Sequence, residues 1–239
     1  MYNAQTAVAF GLTLATLSVM GCYNNETATH VQENHLKTAF SEKEQQTLRN
    51  NTVAIHTTKN LEAIAQLPQG FKFVNEGYFT VAVGTNSFPP LHVLAEDNQT
   101  RIGSEIDIAQ LIADSLGLKL RVIPTSWENW PLGLASGKFD AVFSNIAVTE
   151  QRKQKYDFAT YRQDMLAFYV TKGSKIQAIR MPDDIAGLKI VVGSGTNQER
   201  LLLNWIENNR QKGLNPAQPI YLEDGAAAAL ALQSGRVDA

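Results

Sequence analysis

The sequence predicts an α/β protein built from two lobes of similar design, on three observations. Strand and helix patterns alternate with short joints from Phe71 onward, and the alternation starts again after Lys172. The phrase LASGKFDA at residues 134–141 returns as LQSGRVDA at residues 232–239, with five of eight positions identical. Each copy has an apolar helix end, a glycine suited to a left-handed stop and an aspartate leading into a buried run. A common helix–strand joint used twice is the plainer explanation, but the surrounding pattern favours two lobes.

Lobe one is predicted over residues 71–169. The run FTVAVGT, rich in valine and followed by Asn86, is typical of a short buried strand. In GSEIDIAQLIADSLGL, Ser104 is expected to cap a helix and Gly117 to end it. Four apolar residues are expected to form the buried face of this helix: Ile108, Leu111, Ile112 and Leu116. KLRVIP then predicts a strand, WENWPLGLASG a helix and FDAVF a third strand, so the strands should form a parallel sheet.

Lobe two is predicted over residues 170–239. LKIVVGSGT indicates a strand, NQERLLLNWIENNRQKG a helix, PIYLED a strand and AAAALALQSG a second helix. The second copy of the repeated phrase enters a further strand, whose first residues precede Ala239. Because a strand interrupted there leaves ladder groups unpaired and core surface uncovered, we expect an incomplete second lobe. We therefore expect a C-terminally truncated chain that is partly unfolded by itself.

Composition argues against several classes of partner. The chain of 239 residues has a formal net charge of −2 and no basic face, so we expect no nucleic-acid partner. Its four histidines are scattered, and no Cys–His cluster has metal-ligand spacing. The sequence therefore predicts neither a metal nor a cofactor.

The N-terminal residues differ from the rest. Residues 7–20 are apolar and uncharged, too few to span a bilayer, and Gly21 and Cys22, the one cysteine of the chain, follow them. This pattern predicts a signal peptide over residues 1–22. A lone core cysteine beside an N-terminal helix is the alternative, and the absence of Lys and Arg from MYNAQTA counts against a signal. Residues 23–70 are polar and predict a tether with a short helix in SEKEQQTLRNN.

Three segments should lie where ligands bind in open α/β sheets, beyond the carboxyl ends of the strands: NSFPPL, SNIAVTEQR and GSGTNQE. Thr149 is expected to cap a helix, and Arg152, one turn inside it, offers a planar fork for a carboxylate, although a single arginine there is more often solvated surface. Thr196 is expected to cap the next helix, with Glu199 completing a capping box. The turn before Thr196 presents helix N–H groups to an anion, or is an ordinary tight turn. Phe88 is expected to form an apolar ligand wall opposite Trp127, or to fill the core.

Five segments in order, GTNSFPPL, GSEIDIAQLIADSLG, LASGKFDAVFSNIAVTEQRKQKYDFA, VVGSGTNQE and LQSGRVDA, together resemble the family 3 extracytoplasmic solute-binding proteins. These proteins are the amino-acid receptors of bacterial ABC importers, and the resemblance runs from Phe71 to Ala239. It implies the two-lobed periplasmic-binding-protein (type II) fold, and a monomer without cofactor that closes on an amino acid or related zwitterion and delivers it to a permease. It also implies an extracytoplasmic location, periplasmic or membrane-anchored. Val19–Cys22 resembles a lipobox, in which Cys22 would carry a lipid that anchors the protein to the membrane.

The resemblance also implies a set of ligand contacts. Nine positions match the family's binding positions or lie beside them: Asn86, Phe88, Trp127, Ser144, Asn145, Ala147, Arg152, Ser194 and Thr196. Arg152 matches the arginine that grips the α-carboxylate, and Thr196 matches a backbone donor from lobe two. Phe88 and Trp127 match the aromatics that sandwich the ligand. Asn86 stands near a position that is acidic in several members, whose loop is one residue longer. The acidic residue that takes the ligand ammonium would lie beyond Ala239.

Two other classes of function remain open at this point. The fold also resembles periplasmic dehydratases that act on prephenate-like acids, which need a positioned acid or base. Glu105 is the nearest candidate, but its GSEID context favours a helix cap, so we expect no enzymatic activity. The third class is the ligand-sensing domain of a larger protein. Asn86 and Asn145 favour a ligand with an uncharged polar side chain over lysine or arginine.

Overall fold

The computed structural model describes residues 42–239. Its strands, in chain order, are β1 (Tyr78–Gly84), β2 (Val93–Leu94), β3 (Arg101–Ile102), β4 (Lys119–Thr125), β5 (Ala141–Phe143), β6 (Lys189–Val192) and β7 (Gln218–Tyr221). Its α-helices are α1 (Glu42–Asn50), α2 (Leu61–Ala65), α3 (Ser104–Ser115), α4 (Trp130–Ala135), α5 (Glu150–Lys153), α6 (Asn197–Gln211) and α7 (Gly225–Gln233). Each strand and helix predicted for residues 71–233 is present, β2 and β3 form an additional short antiparallel pair, and the strand predicted from Val237 is not formed as a strand in the described residues.

The sheet of lobe one has β1 at its centre. β4 and β5 flank it, and both pairings are parallel, with Val81 opposite Val122 on one side and Ala141 on the other. Residues 79–83 of β1 are all buried, as expected for a central strand covered on both faces. The predicted parallel sheet is confirmed.

Helix α3 turns a different face to this sheet from the one predicted. The buried residues of α3 are Glu105, Ile106, Ala109 and Ala113, whereas Ile112 is exposed. Ala109 and Ala113 pack against Phe79 and Val81 in the core of lobe one. The prediction from large apolar residues was wrong because a stripe of small side chains lets the helix approach the strand closely, and the larger residues flank the contact.

The start of α3 also differs from the prediction. Ser104 lies inside the helix, and the N-cap residue is Gly103, whose φ of 121° is unfavourable for other residues. A Cβ at Gly103 would lie 2.5 Å from the carbonyl oxygen of Leu91. In place of a side-chain cap, the carbonyls of Pro90 and Leu91 accept the N–H groups of Ser104 and Glu105, at 3.0 and 2.9 Å. Gly117, with a φ of 71°, ends the helix as predicted.

Lobe two repeats the strand order of lobe one. β6 pairs in parallel with β7 on one side. Along the other side of β6, Val191 N–H donates to the carbonyl of Ala239 at 2.9 Å. The core of this lobe joins β6 to α6 through Ile190, Val192, Leu202 and Ile206.

The repeated phrase makes the same contacts in both lobes. Asp140 N–H donates to the carbonyl of Thr80 and its carboxylate accepts Thr80 N–H, both at 2.7 Å. Asp238 makes the same pair of bonds to Lys189, both at 2.8 Å. The glycines that precede them, Gly137 and Gly235, both have a φ of 70°. Each phrase thus fastens the amino end of the central strand, which supports two lobes of one design.

Part of the predicted tether packs against lobe one. Helix α1 forms as predicted in SEKEQQTLRNN. Beyond it, the His56 ring lies 2.8 Å from the carboxylate of Asp114, and Asn60 N–H donates to the carbonyl of Ser115 at 2.8 Å. The predicted signal peptide and Cys22 lie outside the described residues. Within the part of the chain that the structure describes, no helix has the length and apolar character that a membrane span requires.

Candidate binding site

The predicted ligand residues follow the carboxyl ends of strands in both lobes. Asn86 and Phe88 follow β1, residues 144–147 follow β5, and residues 193–196 follow β6. β1 and β5 are neighbours in one sheet, so their loops adjoin. A Cβ at Gly84 would lie 3.2 Å from the Ser144 hydroxyl and 2.8 Å from Nε2 of His92, and glycine is therefore needed where the two loops meet.

Arg152 joins the loops of the two lobes. It lies in the short helix α5, where Thr149 accepts its backbone N–H at 3.2 Å and caps the helix as predicted. Its guanidinium donates to the carbonyl of Ala147 at 2.9 Å within lobe one and to the carbonyl of Gly195 at 3.2 Å in lobe two. Partial burial lowers the pKa of Arg152, but a guanidinium with this degree of exposure stays charged at neutral pH.

Two tryptophans flank this guanidinium. Its central carbon lies 5.4 Å from the ring centroid of Trp127 and 5.7 Å from that of Trp130, within the range of cation–π attraction. The two rings meet edge to face at 6.1 Å. Helix α4 starts at Trp130 rather than Trp127, so Trp127 lies in the preceding turn and is only half-buried. Trp130, which sequence reasoning missed, is buried and packs against the edge of Trp127.

Asn145 holds an unusual backbone conformation in the loop after β5. Its φ is 49°, in the left-handed region that few residues other than glycine adopt. Its N–H donates to a carboxylate oxygen of Glu105 at 2.9 Å. Its side-chain amide donates to Asp164 at 3.1 Å and accepts a hydrogen bond from Arg162. The loop is thereby fixed from the core on one side and from the segment leading to lobe two on the other.

Glu105 is the most buried ionisable group near these loops, and the helix-cap interpretation of it was wrong. One carboxylate oxygen accepts the Tyr161 hydroxyl at 2.6 Å as well as Asn145 N–H, and the other lies 2.8 Å from Nδ1 of His92. Burial alone would raise the pKa of Glu105, but the bonds from His92, Tyr161 and Asn145 outweigh burial and lower it. Burial and the Glu105 carboxylate together raise the pKa of Tyr161.

The turn of lobe two carries the predicted cap and two carboxylates, those of Glu199 and Glu223. The Thr196 hydroxyl accepts Glu199 N–H at 3.1 Å and caps α6. The Glu199 carboxylate accepts Gly195 N–H at 2.7 Å, and Glu223, which sequence reasoning missed, accepts Ser194 N–H at 2.8 Å. Two N–H groups of the turn that precedes this helix therefore bind carboxylates of the chain itself.

Asn86 and Phe88 lie at the outer edge of the candidate site. Asn86 is exposed, and Phe88 is 52% exposed, so it does not fill the core. The Phe88 ring lies 6.4 Å from that of His92. Arg101 donates to the carbonyls of Gly84 and Thr85, both at 3.0 Å, and so fixes the point from which this loop leaves β1.

The geometry is suited to holding a small molecule that has an anionic group. It combines a guanidinium between aromatic rings, a helix N-terminus from the other lobe and polar backbone groups at the loops. In residues 42–239, His, Cys, Asp and Glu side chains do not converge in a group of three or more that could hold a metal ion.

Comparison with known proteins agrees with this architecture. Residues 80–233 match the family of bacterial extracellular solute-binding proteins, family 3. The L-cystine-binding protein TcyJ of Escherichia coli (strain K12) is 34% identical over 134 residues, which are 55% of this chain and 48% of that protein. The cyclohexadienyl dehydratase of Pseudomonas aeruginosa is 30% identical over 131 residues, which are 54% of this chain and 48% of the enzyme. The chain spans about half the length of these two relatives.

Two solved structures share the fold. The ancestral amino acid-binding protein AncCDT-1, a precursor of cyclohexadienyl dehydratase, has a TM-score of 0.56 and 28% identity, and the match covers 68% of each chain. An ancestral arginine-binding protein bound to arginine has a TM-score of 0.55 and 27% identity, again over 68% of each chain. These neighbours confirm the predicted two-lobed α/β fold. Because the family match extends over more than half of its residues, the chain belongs to the bacterial extracellular solute-binding proteins, family 3.

Proposed function

We propose that the protein is an extracytoplasmic receptor that binds an amino acid between its two lobes and presents it to an ABC importer. The observation that carries the proposal is Arg152, whose guanidinium extends from α5 of lobe one to the carbonyl of Gly195 in lobe two, with Trp127 and Trp130 around it. A guanidinium at the junction of two lobes can bind a ligand carboxylate, and its contacts change when the lobes close.

The ligand carboxylate would take the place that the Gly195 carbonyl now holds. A guanidinium has five N–H donors, and the contacts to Ala147 and Gly195 use only two of its nitrogens. Exchange of a neutral carbonyl for a carboxylate gives a bidentate, charge-assisted pair, which is the stronger interaction. The turn at residues 194–196 then offers backbone N–H groups to the same ligand from lobe two, once the ligand displaces the carboxylates of Glu223 and Glu199.

The nine positions predicted as ligand contacts remain part of this proposal, as does the division into lobes at residues 71–169 and 170–239. Arg152, Ala147 and Trp127 support it best, since they are neighbours in the structure. Asn86, Phe88, Ser144, Asn145, Ser194 and Thr196 lie on the adjoining loops.

An enzyme of the dehydratase type is the second candidate, because a cyclohexadienyl dehydratase is among the relatives. Most of the relatives are binding proteins, including the L-cystine-binding protein. Glu105, the nearest acid or base candidate in the sequence, is buried and its carboxylate already has three hydrogen-bond partners. A general acid must reach its substrate, so this carboxylate does not support the enzyme.

The test is calorimetry on the full-length mature protein with L-cystine, L-arginine, L-histidine and L-glutamine. We expect at least one of them to bind, and L-cystine is the first to try because the relative with 34% identity is named for it. Arg152→Ala should weaken that binding by about 2–5 kcal/mol, since the ligand carboxylate loses its partner in a desolvated site. Arg152→Lys should recover little, because the bidentate geometry is lost.

A matched pair of controls isolates the carboxylate. The same amino acid with its carboxyl group converted to an amide should bind the wild type weakly, and Arg152→Ala should no longer discriminate between acid and amide. Arg210→Ala, an exposed change on the outside of α6, should leave the affinity unaltered. Equal affinity of the wild type and Arg152→Ala for the acid would exclude Arg152 from the site.

We also propose that Cys22 carries a lipid and anchors the receptor to the membrane. Support comes from the order of an apolar run, small residues and a single cysteine at positions 7–22. Cys22→Ser should move the protein to the soluble fraction or leave an uncleaved precursor, measured by detergent partitioning and immunoblotting. Unchanged partitioning with normal processing would refute the lipid anchor.

A further inference from the structure

The buried carboxylate of Glu105 connects four separate parts of lobe one. It lies at the start of α3 with no exposed surface and contacts His92 before β2, Asn145 after β5 and Tyr161 on the segment that leads to lobe two. Ionised groups are rarely buried this completely without a structural or functional reason, because desolvation is costly unless hydrogen bonds repay it.

We propose that Glu105 is a positioning residue for ligand binding: it holds the loop of residues 144–147 in its binding conformation and ties this loop to the segment that leads into lobe two. This inference rests on the proposed function, and it assigns no ligand contact to Glu105 itself.

The first step is the backbone of Asn145. Its left-handed conformation is one that asparagine adopts more readily than other residues with a side chain, but the extended region remains favoured unless contacts select the left-handed one. The bond from Asn145 N–H to the Glu105 carboxylate, at 2.9 Å, is the contact that reaches this peptide from the core. Loss of that acceptor should let the peptide relax, and the hydrogen-bonding groups of Ser144 and Ala147 on either side would turn with it.

The second step is the link to Tyr161. Its hydroxyl donates to the same carboxylate oxygen, so one atom fixes both the ligand loop and the segment leading to lobe two. Arg162 and Asp164 on that segment contact the Asn145 side chain and pair with each other at 3.0 Å. The loop and the segment are therefore bound to each other twice, once in the core through Glu105 and once near the surface.

The test uses Glu105→Leu and Tyr161→Phe in the full-length protein, with L-cystine and L-arginine as probes, well below the melting temperature of each variant. Leucine removes the acceptor, whereas glutamine would keep one oxygen for Asn145 N–H and the Tyr161 hydroxyl. A hydrogen bond to a charged group is worth about 1.5–3 kcal/mol, so Glu105→Leu should weaken binding by about 10–100-fold. Tyr161→Phe keeps the carboxylate and should weaken binding less, by about 3–10-fold. Val81→Ala in β1 is the control for destabilisation alone, and it should leave the affinity of the folded protein unaltered.

Hydrogen exchange of the Asn145 amide is measured without ligand, so this part of the test does not depend on the proposed function. Exchange should be at least about tenfold faster in Glu105→Leu and unchanged in Val81→Ala. Unaltered exchange at Asn145 in Glu105→Leu would overturn the inference, even if the wild type binds neither probe, which would count against the proposed function alone. If Glu105→Leu does not fold, Tyr161→Phe decides: wild-type affinity with wild-type exchange at Asn145 would overturn the inference as well.

Discussion

The two lobes agree at the amino ends of their strands and differ at the carboxyl ends. At the amino ends, Asp140 and Asp238 fasten the central strand of each lobe with the same two bonds, after glycines with the same φ. At the carboxyl ends, lobe one has a strained loop backed by a buried glutamate, and lobe two has a turn at the N-terminus of a helix of 15 residues.

The repeated joints at the amino ends build the lobes, whereas the loops at the carboxyl ends form the candidate binding site. The repeated joint serves strand pairing, so the same residues can serve both lobes. Under the proposed function the carboxyl ends would meet a ligand that is itself asymmetric, and they would bring different chemistry: a guanidinium from lobe one and backbone N–H groups from lobe two.

The largest predicted effect is a difference in stability between the variants Asp140→Ala and Asp238→Ala, which alter the two repeated joints. Asp140→Ala leaves two N–H groups, those of Val74 and Thr80, without their acceptor, whereas Asp238→Ala leaves only that of Lys189 in a more exposed position. We expect losses in the free energy of unfolding on the order of 2–3 kcal/mol and about 1 kcal/mol, respectively. Urea denaturation measures both. Equal losses would contradict this account of the joints, and a change in ligand affinity of either folded variant would show that the joints are not purely structural.

The second prediction compares two tyrosine–glutamate pairs under alkaline conditions. Burial and Glu105 raise the pKa of Tyr161, while a hydrogen bond to Glu199 raises the pKa of the exposed Tyr221. A tyrosine whose pKa is higher in the folded than in the unfolded protein stabilises the folded state. This stabilisation is complete below the unfolded-state pKa of about 10, and it is lost as the pH rises through the folded-state pKa.

The measurement is the free energy of unfolding between about pH 8 and pH 11.5, taken as the difference between each variant and the wild type. Tyr161→Phe should remove a clear part of the alkaline loss, and Tyr221→Phe a much smaller part, because solvent screens the pair in lobe two. A larger effect from Tyr221→Phe would reverse the comparison of the two pairs.

The smallest predicted effect concerns the carboxylate that now binds the turn of lobe two. Glu223 accepts Ser194 N–H at 2.8 Å and so competes with an anionic ligand for this helix end. Glu223→Gln removes the charge but keeps an acceptor, and it should tighten ligand binding by about 0.2–1 kcal/mol, the scale of exposed charge interactions. Titration calorimetry checks this, with Glu207→Gln on the outer face of α6 as the matched control. Weaker binding in Glu223→Gln would mean that Glu223 orders the turn for the ligand rather than competing with it.

The sequence by itself determined the elements and their order. The strands and helices of both lobes, the glycine stops at residues 117, 137 and 235, and the caps at Thr149 and Thr196 are written in local patterns, because each depends on residues within one or two turns. The sequence also predicted that Arg152 and Trp127 lie near the same edge of the sheet, where the carboxyl ends of parallel strands meet, and the structure brings them together.

Only the tertiary structure decided which partners these residues meet. The face of α3 that packs on the sheet is set by how closely the helix and β1 can approach. The small side chains of Ala109 and Ala113 allow the closest approach, and they therefore face the sheet in place of the larger side chains. Glu105 binds Asn145, 40 residues away, and Glu223 binds Ser194, 29 residues away. Such contacts leave no local pattern, because their energy comes from desolvation and hydrogen bonding between segments that the fold alone brings together.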